Sequence, residues 1–311
     1  MKNNNYMIRN YKVIANEYIL GGQILKALKF YNKAYNLEEK HEDVELMLDI
    51  ALVYDELGDY ESAMEKYDEI IKINPRESRA YYGRAVLYDN QKKYDEAIEY
   101  YKKAIDIEPY YEKAYFFLAN LYDETGQKDL AILNYKKAIE LEPGDFWAYV
   151  NLGVIYEELG NNERALEMTQ IAVAIDPQHY KALFNMGVIM EKLGRREDAV
   201  KYYQLSIDKD THYPYSYLNL AILYKEDKEY VKAAQIISEG INYNEDASYL
   251  YYNRACFYTH LGLMENALKD LDSAVRLNPE FIEYIKEDKE LEPVRELEDY
   301  AILFDDTIRT I

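Results

Sequence analysis

The sequence predicts an all-α fold built from antiparallel helix pairs repeated along the chain, and two observations carry that prediction. Pro75, Pro109, Pro143, Pro177 and Pro279 are separated by multiples of thirty-four residues, each closing a short "INP", "IEP", "LEP", "IDP" or "LNP" ending. With that proline taken as position 32, position 20 is alanine in eight successive units: Ala27, Ala63, Ala97, Ala131, Ala165, Ala199, Ala233 and Ala267. Self-similarity at such a period marks a repeat architecture, in which each unit buries its apolar face only against its neighbours.

The units run 8–41, 44–77, 78–111, 112–145, 146–179, 180–213, 214–247 and 248–281, with Glu42 and Asp43 inserted after the first. Residues 1–7 precede them, and 282–311 are expected to close the array as a capping helix or tail. Position 8 is always small (Ala15, Ala51, Ala85, Ala119, Gly153, Gly187, Ala221, Ala255), and position 11 is tyrosine except at Met190. Small residues at positions 8 and 20 let two helix axes approach, while large ones at 4, 7, 11 and 24 fill the space around the contact. Glycine near position 15 (Gly22, Gly58, Gly126, Gly160, Gly194, Gly262) ends the first helix by accepting a left-handed backbone, and the proline stops the second. Lys92 and Lys228 replace that glycine, Thr211 and Glu245 replace the proline, and Thr169 and Ile237 replace the aromatic at position 24. These departures predict a less regular stretch over Arg195 to Asn244.

Bulk properties narrow the function. At 311 residues, 49% hydrophobic and 31% charged, the chain has the make-up of a folded protein. No run of eighteen apolar residues appears and the opening "MKNNNYMIRN" has no apolar export segment, so a cytoplasmic protein without membrane insertion is expected. One cysteine, Cys256, excludes an intramolecular disulfide and a cysteine metal cluster. A formal charge of −21 repels a phosphate backbone, which argues against nucleic acid. The abundance of Tyr, Asn, Lys and Ile hints at an AT-rich, bacterial genome.

Tyr149, Leu152, Gly153 and Tyr156, followed by Ala165 and Pro177, resemble the tetratricopeptide-repeat (TPR) pattern of aromatic, Leu, Gly, Tyr, Ala and Pro at these spacings. The resemblance covers about nine-tenths of the chain. It implies a right-handed superhelical solenoid whose first helices line a concave groove, and a scaffold or adaptor that binds a peptide segment of a partner protein there. The charged tail "IEYIKEDKELEPVRELEDYAILFDD" is similar to segments that close bacterial arrays of this family.

On a wheel of 100° per residue, positions 2, 5, 6, 9, 12 and 13 of the first helix share the arc that the resemblance assigns to the groove. Asn151, Asn185, Asn219 and Asn253 all occupy position 6. A carboxamide both donates to a peptide carbonyl and accepts from a peptide N–H, so the row resembles the asparagine ladders that hold an extended peptide; the same side chains could instead only bridge to a neighbouring helix. The expected apolar floor is Tyr82, Phe116, Val150, Phe184, Leu218 and Tyr252 at position 5, with Asn120 among the aliphatic residues of position 9. Asp55, Asp89, Asp123, Glu157 and Glu191 at position 12 are expected to form an acidic rim. The expected ligand has apolar anchors and basic residues on one side, drawn in by a field that salt weakens.

A carboxylate-clamp subtype of the family is disfavoured: Lys12, Asn16 and Arg79 match its pattern, but Asp49 and Gly83 do not, and Asp49 would repel the carboxylate. His41, His179, His212 and His260 are scattered, there is no glycine-rich phosphate loop, and Cys256 stands where other units carry Val or Ile, so neither catalysis, a metal nor a cofactor is expected. Two other functions stay open. One is a ligand-responsive regulator acting on a separate effector, and the other is self-assembly through the ends of the array.

Overall fold

A computed structural model describes residues 2–38 and 41–304. The chain divides into two compact units, Met1–Ala148 and Tyr149–Ile311. The first holds four helix pairs: α1 (Lys2–Leu20) with α2 (Ile24–Leu37), α3 (Val44–Glu56) with α4 (Tyr60–Ile73), α5 (Ser78–Asn90) with α6 (Tyr94–Ile107), and α7 (Glu112–Glu124) with α8 (Lys128–Leu141). Helix α9 (Phe146–Glu158) begins at the boundary, and the second unit continues with α10 (Asn162–Ile175), α11 (Tyr180–Lys192), α12 (Arg196–Lys209), α13 (Pro214–Glu226), α14 (Tyr230–Tyr243), α15 (Ser248–His260) and α16 (Met264–Leu277). No strand occurs among the described residues.

The helix boundaries have local causes. Asp43, Asp59 and Asn161 each accept a hydrogen bond from the backbone N–H three residues on, satisfying donors that a helix start leaves open. The first helices end where a residue turns left-handed: Gly58 has φ 74° and Gly194 φ 71°, while Lys92 and Lys228 take φ 58° and 60° with a side chain in place. That substitution strains the backbone locally and leaves the repeat intact. Over Arg195 to Asn244, where a less regular stretch is expected, α12, α13 and α14 keep the 14, 13 and 14 residues of the other pairs. The turn lost with proline is kept by Pro214 at the first turn of α13 and by Asn244, whose Nδ2 donates to Thr211 O at 3.0 Å.

The core follows the repeat columns. All eight alanines at position 20 have no solvent exposure, and so do the six at position 8. Glycine takes that column where a neighbour presses hardest: a Cβ on Gly187 would lie 2.6 Å from the ring of Tyr203. The tyrosines at position 24, Tyr31, Tyr67, Tyr101, Tyr135 and Tyr203, are buried against these small residues.

After α16 the closing segment, expected as a capping helix or tail, is four short pieces: α17 (Phe281–Glu287), a 3-10 turn (Lys289–Leu291), α18 (Glu292–Arg295) and α19 (Glu298–Phe304). They bury Ile285, Leu291, Val294 and Phe304 in one cluster with Leu250, Phe257 and Leu271 of the last pair. Pro293 and the Asp288 side chain, which accepts from Glu290 N at 2.8 Å, break what would otherwise be one helix.

Candidate interaction surface

The tyrosine of position 24 decides what position 6 of the next repeat can do. A Cβ on Gly83 would lie 2.5 Å from the Tyr67 hydroxyl, Phe117 stacks on Tyr101 with ring centroids 6.3 Å apart, and Asn219 Nδ2 donates to the Tyr203 hydroxyl at 3.3 Å. Position 6 thus abuts the tip of the preceding repeat's tyrosine. Tyr203 in turn donates to Glu191 Oε2 at 2.8 Å, so its hydroxyl both gives and receives. Phe117 can accept nothing, and the Tyr101 hydroxyl is buried without a partner.

This geometry sorts the asparagine row. Asn219 is committed to packing between repeats, and Asn151 is also engaged. Asn253 follows Ile237, which offers no hydroxyl, and its Nδ2 turns back to Tyr249 O of its own helix at 2.8 Å. Asn185 follows Thr169, is half-buried, and makes no side-chain hydrogen bond among the described residues. Asn120 is spent in a different way, accepting from the hydroxyl of Tyr135 in its own repeat.

The apolar floor is less open than the wheel suggests. Val150 is only 4% exposed and is corrected from floor to core. Tyr82 is enclosed by Tyr101, Tyr111 and Phe117, Phe116 sits edge-on to Tyr135, and Phe184 lies between Tyr203 and Tyr213. Leu218 packs half-buried on the core of the last repeats. Tyr252 is covered by the closing segment: its hydroxyl donates to Asp288 Oδ2 at 2.5 Å and its ring meets Phe281. Leu52, at 58%, is the strongly exposed member of the position-9 column. Helix i, i+4 spacing places these side chains on one arc, but an adjacent helix covers much of it.

All five carboxylates of the expected acidic rim are half-buried, and three of them are engaged. Glu191 accepts from Tyr203, Asp123 pairs with Lys128 at 2.6 Å, and Glu157 pairs with Lys192. Burial raises the Asp55 carboxyl, and burial followed by the nearby Glu124 raises that of Asp89. A raised carboxyl in the folded state favours folding below the usual carboxylate range and loses that contribution as pH climbs through the raised value. Asp89→Asn is therefore expected to raise the thermal midpoint at pH 7, by a gain that shrinks as pH falls to about 4, in the usual carboxylate range. Melting curves at the two pH values check this, and an unchanged slope would remove the assignment.

Sequence reasoning missed the polar contacts that close the array. Lys225 Nζ donates to Glu290 Oε1 at 2.7 Å, His260 faces the same carboxylate, and Asp288 lies beside Cys256. Burial, then Asp288 and Glu290, pushes the Cys256 thiol up to about 12, so it holds its proton at neutral pH and agrees with the reading of small filler. Arg79 of the clamp pattern is bound by Glu45 and Glu77. No cluster that could hold a metal occurs among the described residues, and no described helix is long and apolar enough to cross a membrane.

A small cleft of about 20 Å³, room for a single water, lies beside Asn185. Gly153, Val154, Glu157, Val188 and Ile189 complete its wall.

Tetratricopeptide-repeat signatures match residues 48–112, 119–160, 148–179, 181–210 and 248–281, together more than half of the chain. The chain belongs to the tetratricopeptide-repeat family. Residues 202–251 also match the signature of anaphase-promoting complex subunit 5. No curated protein matches the chain. Among solved structures, a tetratricopeptide-repeat protein from Parabacteroides merdae is 20% identical with a TM-score of 0.62, over 81% of this chain and 99% of that one. The Cut9–Hcn1 hetero-tetramer of the APC/C is 19% identical with a TM-score of 0.59, over 91% of this chain and 55% of that one. YrrB, described as a TPR protein with an unusual peptide-binding site, is 24% identical with a TM-score of 0.52, over 64% of this chain and 97% of that one. At these identities the likeness establishes the fold.

Proposed function

We propose that this protein is an interaction scaffold that holds a peptide segment of a partner protein along the first helices of its repeats. The observation that carries the reading is Asn185, a half-buried carboxamide with its hydrogen-bonding capacity unspent beside an open cleft. A peptide backbone lying there offers both an acceptor for its Nδ2 and a donor for its Oδ1. The peptide-binding site named for YrrB and the assembly named for Cut9–Hcn1 support the same class of function.

The structure-based division of the asparagines makes the test specific. Asn219→Ala should lower stability, by about 1 kcal/mol for one lost hydrogen bond, because Tyr203 loses a partner. Asn185→Ala should leave melting unchanged while weakening partner capture. Capture from the source lysate by wild type, Asn185→Ala and Asn219→Ala, read by mass spectrometry beside melting curves, checks both. Should Asn185→Ala retain every partner at wild-type level, the binding surface lies elsewhere on the molecule.

A further inference from the structure

The first helix pair and the closing segment carry opposite charge. Within a chain of net charge −21, the stretch from Lys2 to Leu37 is basic, with Lys2, Arg9, Lys12, Lys26, Lys29 and Lys33 against the single carboxylate Glu17. The stretch from Phe281 to Phe304 is the reverse, with eight carboxylates against three basic residues. Two copies repel through their net charge, and these are the two stretches that attract.

Each also bears apolar surface that nothing in the chain covers. On either side of the α1–α2 turn Leu20 is 89% exposed and Leu25 71%. Both break the repeat pattern. Position 13, where Leu20 stands, is Glu, Asn, Lys or His in all seven later repeats, and position 18, where Leu25 stands, is Glu or Asp in six of them. An acidic residue in the first turn of a helix favours its dipole, so α2 gives up that contribution to expose a leucine. Lys26 and Lys29, both exposed, lie within one turn of it.

Between α16 and α19 runs a groove of about 530 Å³, inside the roughly 300–1,000 Å³ of ligand sites. Leu268, Leu297 and Leu303 form its floor, and Ile302 stands beside them 57% exposed. On the rim, Glu265, Glu298 and Asp299 are exposed and form no ion pair among the described residues. Asp272 is held by Arg276 at 2.8 Å, and Lys269 adds one positive charge.

We infer that this groove receives the α1–α2 turn of a second copy of the chain, so that copies join end to end. Leu20 and Leu25 would enter the apolar floor, while Lys26 and Lys29 would meet Glu265, Glu298 and Asp299 on the rim. The two surfaces differ, so the contact is heterologous: each copy offers one knob and one groove, and growth continues past a dimer unless a ring closes. No residue of the asparagine row takes part, which makes this contact independent of peptide binding.

The test is sedimentation of the full chain, read as weight-average mass against concentration in about 0.15 M salt, where distant charges are screened and close pairs less so. The mass should exceed the 36.8 kDa of one chain and keep rising with concentration. Leu20→Glu with Leu25→Glu removes the knob, and Ile302→Glu blocks the groove. Each should weaken association about ten-fold or more, because a carboxylate would be buried among carboxylates. All three positions are exposed, so melting should match wild type. Mixed together, the two variants should form a dimer of one of each and nothing larger, since one intact knob and one intact groove remain between them. A wild type that stays at 36.8 kDa overturns the inference and leaves the groove to a basic segment of another protein. Mass gained only after residues 305–311 are removed gives the groove to the chain's own end and overturns it as well. Undiminished association in either variant, or none in the mixture, puts the contact elsewhere and has the same consequence.

Discussion

Arg254→Ala is expected to lower the thermal midpoint of the second unit by on the order of 10 °C, from a loss of about 3–5 kcal/mol. Arg254 Nε and Nη2 each donate to the Asp270 carboxylate at 2.7 Å, and Nη1 donates to Ser238 at 2.9 Å. The two side chains are 16% and 8% exposed, which ties α14, α15 and α16 together through one nearly dry node. Burial raises the Asp270 carboxyl, and Arg254 offsets part of that rise. Deleting the guanidinium leaves that carboxylate desolvated and unpaired, which costs more than the pair itself contributes. Replacing both partners, Arg254→Met with Asp270→Leu, should consequently recover most of the loss. Melting of the single and double variants decides the matter: a single variant within 1 kcal/mol of wild type would mean that water already screens the pair.

Neither this pair nor the tyrosine sockets could be read from a helical wheel. A wheel places residues on one helix, whereas Arg254 and Asp270 lie sixteen residues apart on different helices, and Asn219 meets a tyrosine of the preceding repeat. The repeat columns were legible because burial at positions 8 and 20 is imposed identically in every unit, and the alanines there are all fully buried. Left-handed turns were legible as glycine, and Lys92 and Lys228 hold the same geometry with no sequence sign of it. Val150 was misplaced because position 5 faces both the next helix and the groove, and only packing divides one from the other. The breaks after α16 come from Asp288 and Pro293, whose effect depends on the surface they close.

Tyr203→Ala should destabilise the second unit by about 3–5 kcal/mol, the range for deleting a buried aromatic side chain. Tyr203 has no solvent exposure and packs with Met186, Met190, Leu220 and Leu223. Tyr203→Phe separates the two contributions, because it keeps the ring and removes only the hydroxyl that joins Glu191 to Asn219. Its loss should be about 1–2 kcal/mol, since both former partners can turn toward solvent more readily than a cavity can close. The alanine variant carries a second consequence. It would leave Gly187, Glu191 and Asn219 around an empty space. A ligand that binds the folded state alone raises its stability by mass action, and engineered cavities do take up small aromatic molecules. Millimolar p-cresol should therefore raise the melting temperature of Tyr203→Ala more than that of wild type, and raise Tyr203→Phe no more than wild type. If p-cresol stabilises none of the three, the walls collapse when the ring is absent.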